Sequence, residues 1–410
     1  MIKQIDSYKI DVLLQPVLRQ IEKNGVKIDV DLLTDLSKKL DLQIQEISSV
    51  IFQYFNHQIN LNSPSQLAKV LYDELKIGPR EKKIKYGKQH FSTGARSLEK
   101  IKHLHPVIEK ILQYREMMKL KSAYVDPLPK LVDQNNRIHT HYAVDTATGR
   151  LSSKNPNLQN IPTRTKYGKK VKQVFIAQDK YRLVKFDYSQ IELRVIAFLS
   201  GDEDMMDVFR SQKDIHLETA KKMGVNRRMA KIINFGVLYG MGSYGLSERL
   251  NIRKDEAQDF INSYFATYPG LKKYFDQMIE NAKKYGFVKT MYGRKREVKE
   301  LKSNIYQIRK LGERIAVNTP AQGTAAEIIK MAMISIYDKI LLKNSGLINT
   351  DCRMVLQIHD ELVFEIKHEK MDKYIKTIKN IMENEVKIKV PLVVNVSYGS
   401  NLLDIKNINL

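Results

Sequence analysis

The spacing of apolar residues changes near residue 138, and this change limits the fold more than any other feature of the chain. Before it, apolar residues recur at three- and four-residue steps through 10–28 and again through 29–55. That spacing places them on one face of an α-helix. The first stretch breaks at Asn24-Gly25, a pair typical of a helix end. The first third of the chain is therefore predicted to be mostly helical.

Beyond residue 138, short apolar runs alternate with helical stretches. The segment 183–186 predicts a buried strand, and 354–366 predicts a hairpin interrupted at His359-Asp360. Between them, residues 204–284 return to helical spacing. The order is helix-rich, mixed, helix-rich and mixed, which predicts an α+β protein with a helical insertion.

Composition removes several classes of protein. No run of about 18 apolar residues occurs, so no membrane-spanning helix is expected. Cys352 is the only cysteine, which excludes an intrachain disulfide and a cysteine-based zinc site. The formal net charge is +23, with a basic segment at 76–90 that reads as a mobile surface loop. This excess favours a polyanion such as nucleic acid, although general solubility or an AT-rich genome would also produce it.

The first acidic segment is Asp187-Tyr188-Ser189-Gln190-Ile191-Glu192. Asp187 lies where a predicted strand ends and a helix begins, so its carboxylate is exposed beside backbone carbonyl groups. Such oxygens suit Mg²⁺, which proteins hold through one or two carboxylates plus substrate phosphates. The alternative is an aspartate that only helps to start the helix. Glu192 has an alternative of its own, because Ser189-x-x-Glu192 fits a capping box.

The second acidic segment is His359-Asp360-Glu361, which flanking apolar strands place at the tip of a hairpin. Adjacent acidic residues at a turn are usually solvated, and alone they would be weak support for a site. Here, however, residues that should be buried lie on both sides. Asp187 is far away in sequence, so the fold would have to bring the two segments together.

The third segment is a helix with a basic and aromatic stripe. Arg227, Lys231, Phe235 and Tyr239 follow one another at steps of four and lie on one face. Two cations followed by two rings suit phosphates at one end of a nucleotide and a base at the other. An amphipathic helix with two core rings and a solvated basic end explains the spacing equally well.

Together, two separated carboxylates and a basic helix indicate phosphoryl transfer assisted by metal ions. The sequence contains neither GxxxxGK[ST] nor GxGxxG, so a P-loop ATPase and a dinucleotide enzyme are not expected.

Five segments resemble family A DNA polymerase, the family of bacterial DNA polymerase I. They occur in the family's order: TATGRLSSKNPNLQNIP (146–162), DYSQIELR (187–194), RRMAKIINFGVLYG (227–240), ERIAVNTPAQGTAAEIIK (313–330) and QIHDELVFE (357–365). The resemblance implies an α+β right-hand polymerase fold with a helical thumb, a palm split around the fingers and built on an antiparallel sheet, and helical fingers. The implied parts are an N-terminal palm-associated helix (1–29), thumb (30–135), first part of the palm (136–202), fingers (203–300) and second part of the palm (301–410).

The resemblance also implies a two-metal site. Asp187 and Asp360 would bind two Mg²⁺ ions, for which Mn²⁺ could substitute. The Tyr188 carbonyl would be a further ligand, and Glu361 would support the metals from beside them. Lys231 would join the two aspartates as a catalytic residue, acting as general acid towards the pyrophosphate leaving group.

Other motif positions would bind the incoming dNTP. Arg227 and Lys231 would hold the triphosphate, and His216 and Gln190 resemble further triphosphate contacts. The remaining positions implied for the dNTP site are Phe235 against sugar and base, Tyr239 at the pivot of the fingers, and Glu192 as the steric gate against a ribose 2′-hydroxyl. Capping could be a second role of Glu192.

A third set of positions would contact the primer-template duplex. The residues implied are Arg150, Asn318, Gln322, His359 and Arg314. Ordinary polar contacts within the palm are the alternative for Arg150, Asn318 and Gln322. The basic segments 76–90 and 164–172 would contact phosphates without reading sequence, although a solvated surface loop explains the first equally well.

The function implied is template-directed DNA synthesis in replication or repair, with primer-template DNA and dNTPs as partners. We expect a cytoplasmic, nucleoid-associated monomer that works without a membrane, with a separate nuclease or accessory protein as a candidate partner. No DxE-type exonuclease motif occurs within 1–135, so proofreading by this chain is not expected. The competing interpretations are a single-subunit RNA polymerase or reverse transcriptase-like enzyme, and a non-catalytic primer-template binding module.

Overall fold

The computed structural model of the chain describes residues 5–78, 82–85, 88–162, 165–342 and 348–408, and for 82–85 and 88–90 it describes the backbone alone. Helices surround one larger antiparallel sheet and several two-stranded ribbons in these residues, so the architecture is α+β, as predicted. No helix within the described ranges is long and apolar enough to cross a membrane.

The described part of the first 130 residues is mostly helical, as the apolar spacing predicts. Its elements are α1 (Ser7–Asn24), β1 (Val26–Lys27), α2 (Val30–Tyr54), α3 (Pro64–Ala68), β2 (Lys82–Lys85), β3 (Lys88–Phe91), α4 (Ala95–Ile101) and α5 (Pro106–Leu120). π-helical turns at Lys69–Glu74 and Lys121–Val125 extend α3 and α5, and a 3₁₀ turn follows at Leu128–Lys130.

Local side chains define where the first two helices begin and end. The Asp6 carboxylate accepts a hydrogen bond from the Lys9 amide at 2.8 Å and caps α1. Asp29 does the same for α2 with the Leu32 amide at 2.9 Å. Gly25 ends α1 with φ +56°, and a Cβ there would lie 2.8 Å from the Ile138 carbonyl oxygen. The predicted break after residue 24 is confirmed.

The basic segment 76–90 differs from its prediction as a loop. The backbones of β2 and β3 pair as an antiparallel hairpin, with Lys82 opposite Phe91 and Lys85 opposite Lys88. The loop prediction is wrong for these two runs because each satisfies the other's backbone hydrogen bonds. Residues 79–81 and 86–87 lie outside the described residues, as do the side chains of 82–90. The phosphate contacts predicted for this segment therefore stay a prediction.

The middle of the chain holds the central strand and the predicted helical insertion. Its elements are β4 (Arg137–Ile138), β5 (His141–Ala143), β6 (Ser152–Lys154), α6 (Lys166–Gln173), β7 (Tyr181–Tyr188), α7 (Ile191–Ser200), α8 (Glu203–Arg210), α9 (Ile215–Met223), α10 (Arg227–Leu238), α11 (Ser243–Leu250), α12 (Lys254–Thr267) and α13 (Pro269–Tyr285).

The last part of the chain contributes the remaining strands and the longest helix. Its elements are β8 (Phe287–Lys289), β9 (Lys295–Glu297), α14 (Tyr306–Ile336), β10 (Cys352–Ile358), β11 (Glu361–Lys367), α15 (Met371–Asn384), β12 (Val394–Gly399) and β13 (Ile405–Ile408). 3₁₀ turns lie at Lys299–Lys302 and His368–Lys370, and a π-helical turn at Tyr337–Leu341 extends α14. The predicted hairpin at 354–366 is confirmed as β10 and β11.

The larger sheet has five strands in the order β10-β11-β7-β12-β13, with every neighbouring pair antiparallel. β7 is therefore central, and each of its neighbours comes from more than 150 residues further along the chain. Phe186 of β7 and Phe364 of β11 pack edge to face against α14 and α15 on one side. Val363 and Leu183 pack on the other side against residues of α2 and α6. Burial on both faces holds β7 rigidly, so a side chain at its end is well positioned.

Candidate active site

Asp187 is the last residue but one of β7 and is fixed by pairing on both sides. Glu361 of β11 lies directly opposite it on one neighbour, and Asn395 of β12 on the other. The next residue, Tyr188, donates its amide to the Asp360 carbonyl oxygen at 3.2 Å. This backbone hydrogen bond joins the two acidic segments that the sequence separates, and they come together as predicted.

Asp360 lies in the turn between β10 and β11. His359 precedes it with φ +55°, a left-handed conformation that a two-residue turn requires. The strands on either side are buried, so the turn projects His359 and Asp360 from a rigid hairpin. His359 is exposed, whereas Asp360 is partly buried.

The electrostatics of the two aspartates favour a bound cation. Burial, together with the neighbouring carboxylates of Glu361 and Asp360, raises the pKa of Asp187 to about 7, against the opposing effect of Lys185. Burial also raises the pKa of Asp360, partly offset by its own backbone amide. Neither aspartate has an ion-pair partner among the described residues. A divalent cation would relieve this repulsion, so the pair fits a metal held by two carboxylates plus substrate phosphates.

Glu361 differs from the two aspartates because it is neutralised. Its Oε1 lies 2.9 Å from Nζ of Lys185, and both side chains are mostly buried. Within the described ranges, no group of three or more His, Cys, Asp or Glu side chains is arranged to hold a metal ion. The ion pair with Lys185 sets Glu361 apart from Asp187 and Asp360.

A cleft of about 420 Å³ opens over these residues. Of the predicted site residues, those that line it are Arg150, Asp187, Tyr188, Gln190, Glu192, Phe235, Tyr239, His359 and Asp360. Ala325, Ala326 and Ile329 of α14 form part of its wall. The structure thus gathers residues from the strand, the turn, α7 and α10 around one cavity.

The predicted stripe on α10 is confirmed as helical, but only its aromatic end reaches the cleft. The rings of Phe235 and Tyr239 are stacked, with centroids 6.3 Å apart and planes 12° apart. Arg227, at the other end, pairs with Asp214 through a distance of 2.6 Å. Lys231 is exposed and has no ion-pair partner among the residues that the structure describes. The two cations lie outside the cleft lining.

His216 lies behind this stripe. It is buried against the Phe235 ring, with centroids 5.4 Å apart, and its Nε2 lies 3.2 Å from Nε2 of Gln190. Burial, together with the positive charges of Lys231 and Arg227, lowers the pKa of His216 to about 4, against the opposing effect of Asp214. The ring is therefore neutral near pH 7 and could contact a phosphate only through a hydrogen bond.

Glu192 does not cap α7, so the capping-box alternative is wrong. The helix begins after Gln190, which has φ +53°, and no side chain caps it. The Ser189 amide instead donates to the carbonyl oxygen of Val393, the residue before β12, at 2.8 Å. Glu192 accepts hydrogen bonds from the Arg150 guanidinium and the Tyr239 hydroxyl. It thereby joins three parts of the cleft wall.

The predicted primer-template residues of α14 lie beside the cleft and do not line it. The Asn318 amide donates to the Tyr239 carbonyl oxygen at 3.1 Å. Arg314 is exposed and packs on Gly240, where an added Cβ would come within 2.7 Å of its Cγ. Gln322 is half-buried one helical turn beyond Asn318. α14 thus contacts the residues at which α10 ends.

Sequence reasoning missed Lys185, the cation beside the acidic cluster. A signal was present, because Lys185 precedes Asp187 by two residues and a strand places such residues on one face.

Sequence reasoning also missed a second charged cluster under the cleft wall. There, Asp11 of α1 pairs with Lys330 at 2.8 Å and with Arg294 at 2.7 Å. No local pattern links these residues, which come from distant segments.

Comparison with known proteins identifies the family. The model described as DNA polymerase family A matches residues 30–404. This chain belongs to DNA polymerase family A. The family predicted from the five motifs is thereby confirmed.

Individual family A relatives agree over nearly the whole chain. The thermostable DNA polymerase I of Thermus aquaticus is 44% identical over 404 residues, covering 96% of this chain and 48% of the relative. DNA polymerase I of Deinococcus radiodurans is 41% identical over 404 residues, covering 96% of this chain and 41% of that relative. The chain therefore spans about half the length of the curated relatives it matches.

A solved structure matches the fold closely. It is the POL domain of Pol1 from M. smegmatis in complex with DNA primer-template and dNTP. The TM-score is 0.88 at 36% identity, and the match covers 96% of this chain and 70% of the other. The predicted right-hand polymerase fold is confirmed, whereas the boundaries of its parts stay a prediction.

Proposed function

We propose that this chain catalyses template-directed DNA synthesis, adding dNTPs to a primer 3′-hydroxyl with release of pyrophosphate. The observation that carries the proposal is the pairing of β7 with β11, which brings Asp187 and Asp360 into one cleft with the rings of α10 on its wall. Membership of DNA polymerase family A supports it, as does the likeness to a domain solved with DNA primer-template and dNTP.

The proposed cofactor is a pair of Mg²⁺ ions, which Mn²⁺ could replace. Asp187 and Asp360 would hold them, with the Tyr188 carbonyl as a further ligand. When bound, the ions would supply charge stabilisation for the transferring phosphate and activation of the 3′-hydroxyl. The raised pKa values of the two aspartates support this role, because unpaired neighbouring carboxylates favour a cation between them.

The proposed nucleotide site extends from the cleft along α10. Lys231 and Arg227 would bind the triphosphate, and Lys231 would donate a proton to the leaving pyrophosphate. The exposure of Lys231 supports this, since the lysine forms no ion pair within the described residues. Because Arg227 is paired with Asp214, it would have to leave that carboxylate in order to bind the triphosphate.

The same helix and its neighbours would select the nucleotide. Phe235 would pack against sugar and base, and Tyr239 would lie at the pivot of a closing movement. Glu192 would crowd a ribose 2′-hydroxyl, since Arg150 and Tyr239 hold its carboxylate in the cleft wall. Gln190 and His216 would complete the triphosphate contacts through hydrogen bonds.

The proposed duplex site lies along α14 and the turn before β11. Arg150, Asn318, Gln322, Arg314 and His359 would contact the primer-template near the primer end. Arg150 and His359 line the cleft, and Asn318 and Arg314 lie against the end of α10. The net charge of +23 supports binding to a polyanion.

We further propose the division into a palm-associated helix (1–29), thumb (30–135), palm (136–202 and 301–410) and fingers (203–300). A separate apolar core between residues 51 and 114 supports a thumb that extends away from the palm, while the first turns of α2 and the end of α5 pack against the sheet. A monomer working on chromosomal DNA in the bacterial cytoplasm, in replication or repair, is the proposed setting. Synthesis without proofreading by these residues, with nuclease or accessory functions supplied separately, belongs to the same proposal.

The test is extension of a 5′-labelled primer on a DNA template with four dNTPs and Mg²⁺. The parent protein should extend it and Asp360→Ala should not, while both bind the duplex in a gel-shift assay. Asp372→Ala removes an exposed acid of α15 and serves as the matched control. Binding without extension by the parent would favour a non-catalytic module. Preferred extension with rNTPs, or on RNA templates, would favour the other polymerase classes.

A further inference from the structure

Lys185 forms an ion pair beside the proposed metal site. It lies two residues before Asp187 on β7, so both side chains project from the same face of the sheet. On β11, Glu361 is opposite Asp187 and Val363 is opposite Lys185. The pair between Lys185 and Glu361 therefore runs diagonally across two strands, with Nζ and Oε1 2.9 Å apart.

The pair divides the three carboxylates of the cluster into two kinds. Glu361 is neutralised by a lysine whose side chain is 17% exposed, while its own is 24% exposed. Asp187 and Asp360 have no ion-pair partner among the described residues. A cation entering the cleft therefore meets two carboxylates that form no ion pair within the described residues and one that is already paired with a lysine.

The sheet makes this division stable. Strand β11 is paired with β7 along its whole length, so the distance between the backbones of Lys185 and Glu361 is fixed. Lys172 of α6 lines a neighbouring groove together with Glu361 and adds a second positive charge on that side. Both lysines thus attract the Glu361 carboxylate along the sheet and away from the Asp187–Asp360 pair.

We infer that Lys185 is a positioning residue that holds Glu361 out of the set of metal ligands, so that Asp187 and Asp360 alone supply carboxylates to the divalent cation. This inference rests on the proposed function, and it replaces the supporting role that the family resemblance implies for Glu361 with a more specific one. Without Lys185, Glu361 would turn to the cation as a third carboxylate. Affinity for divalent cations rises with the number of charged ligands, so the lysine keeps binding weaker.

The experiment measures Mn²⁺ binding at equilibrium from the electron paramagnetic resonance signal of the free ion, which requires no catalysis. Lys185→Met should lower the dissociation constant for Mn²⁺ about fivefold, because a third carboxylate becomes available. Glu361→Gln in the parent background should change it by less than about twofold. The double variant should return to the parent value. Lys185→Arg, which can keep the ion pair, should behave like the parent.

Two controls separate this inference from general electrostatics. Lys222→Met removes a lysine of α9 that pairs with Asp204 of α8 at 2.8 Å, and it should leave Mn²⁺ affinity unchanged. If the gain in Lys185→Met persists when Glu361 is also changed, the lysine acts only through its own charge and the inference is overturned. It is also overturned if Glu361→Gln alone weakens Mn²⁺ binding as much as Asp360→Asn does, a comparison that does not depend on the folding of Lys185→Met.

Failure of the proposed function would look different. If Asp187→Ala and Asp360→Ala bind Mn²⁺ as the parent does, the metal site itself is wrong and the inference falls with it. If those variants lose Mn²⁺ while Lys185→Met matches the parent, only the inference is overturned. Primer extension by the same parent preparation reports on the proposed function independently.

Discussion

The carboxylate half of the cleft is held by backbone hydrogen bonds, whereas the basic half is held by helix packing. Asp187 and Asp360 are joined through the Tyr188 amide within a sheet that is buried on both faces. The α10 helix packs on α9, α11 and α12, and it reaches the carboxylate half mainly through Tyr239 and Phe235. The carboxylates are thus in place before substrate arrives, while the cations of α10 are outside the cleft lining.

This difference teaches where rigidity and movement are expected. Groups that hold metal ions must stay within a narrow geometry, and a paired sheet provides it. A helix joined to the sheet through a few side chains can shift as a unit. The proposed triphosphate contacts therefore belong to the basic half, which can close. A substitution in one half should affect that half more than the other.

The largest effect is expected in the carboxylate half. Asp187→Ala should slow single-turnover nucleotide addition by about 10³-fold or more, because the cation that stabilises the transition state loses a ligand. Duplex affinity should change little, since the helices that would bind phosphates are untouched. Rapid-quench measurement of one nucleotide addition, beside gel-shift titration, checks this. Near-normal addition, with Asp372→Ala as the matched surface control, would contradict the metal assignment.

A smaller effect is expected in the basic half. Lys231→Met should slow the same step by about 10²-fold, the usual worth of a positioned general acid. The loss should be larger in kcat than in KM, because the proton is needed only as pyrophosphate leaves. Lys254→Met, at the start of α12, removes an equally exposed charge from the same helical block and should have no effect. Equal losses for both variants would indicate that only the overall charge of the block matters.

The junction between the halves gives a third test. Glu192→Ala should relax discrimination against rNTPs by about 10- to 100-fold, because space opens where a 2′-hydroxyl would lie. Glu192→Gln keeps the size of the side chain while weakening its contacts with Arg150 and Tyr239. The glutamine variant should therefore retain most of the discrimination. If both variants lose it equally, charge and not bulk selects the sugar. The ratio of dNTP to rNTP incorporation by each variant distinguishes these outcomes.

The sequence predicted the carboxylate half of the cleft well, although Asp187 and Asp360 lie far apart in the chain. Apolar runs around Asp187 and Asp360 predict strands, and strand pairing then determines where the acids lie. Local spacing likewise predicts the stripe of α10, since helical period alone places Arg227 and Tyr239 on one side. Patterns within about ten residues were sufficient for these features.

Contacts between distant segments could not be read in this way. The lysine and carboxylate of the Lys185–Glu361 pair are 176 residues apart, and nothing local to either residue indicates the other. The capping-box interpretation of Glu192 failed for a related reason. Ser189 fits the local motif, but its amide donates to the carbonyl oxygen of Val393, the residue before β12, and the helix begins later. Tertiary pairing decided between two locally acceptable structures.

The smallest expected effect concerns the protonation of Asp187. Burial and neighbouring carboxylates raise its folded pKa to about 7, well above the value near 3.9 of an unfolded aspartate. A group raised in this way favours the folded state below the unfolded pKa, and that contribution is lost as pH rises through about 7. Mg²⁺ competes with the proton, so it should stabilise the fold more when the carboxyl is ionised. We expect Mg²⁺ to raise the unfolding midpoint about 2 °C more near pH 8 than near pH 5.5.

Thermal unfolding at both pH values, with and without Mg²⁺, checks this expectation. Asp187→Asn removes the titrating group and should abolish the difference between the two pH values. Asp372→Asn, an exposed acid of α15, should preserve it. An equal Mg²⁺ shift at both pH values in the parent would mean that the ion binds without displacing a proton. In that case the buried aspartates would not form the metal site, and the rigid half of the cleft would have another role.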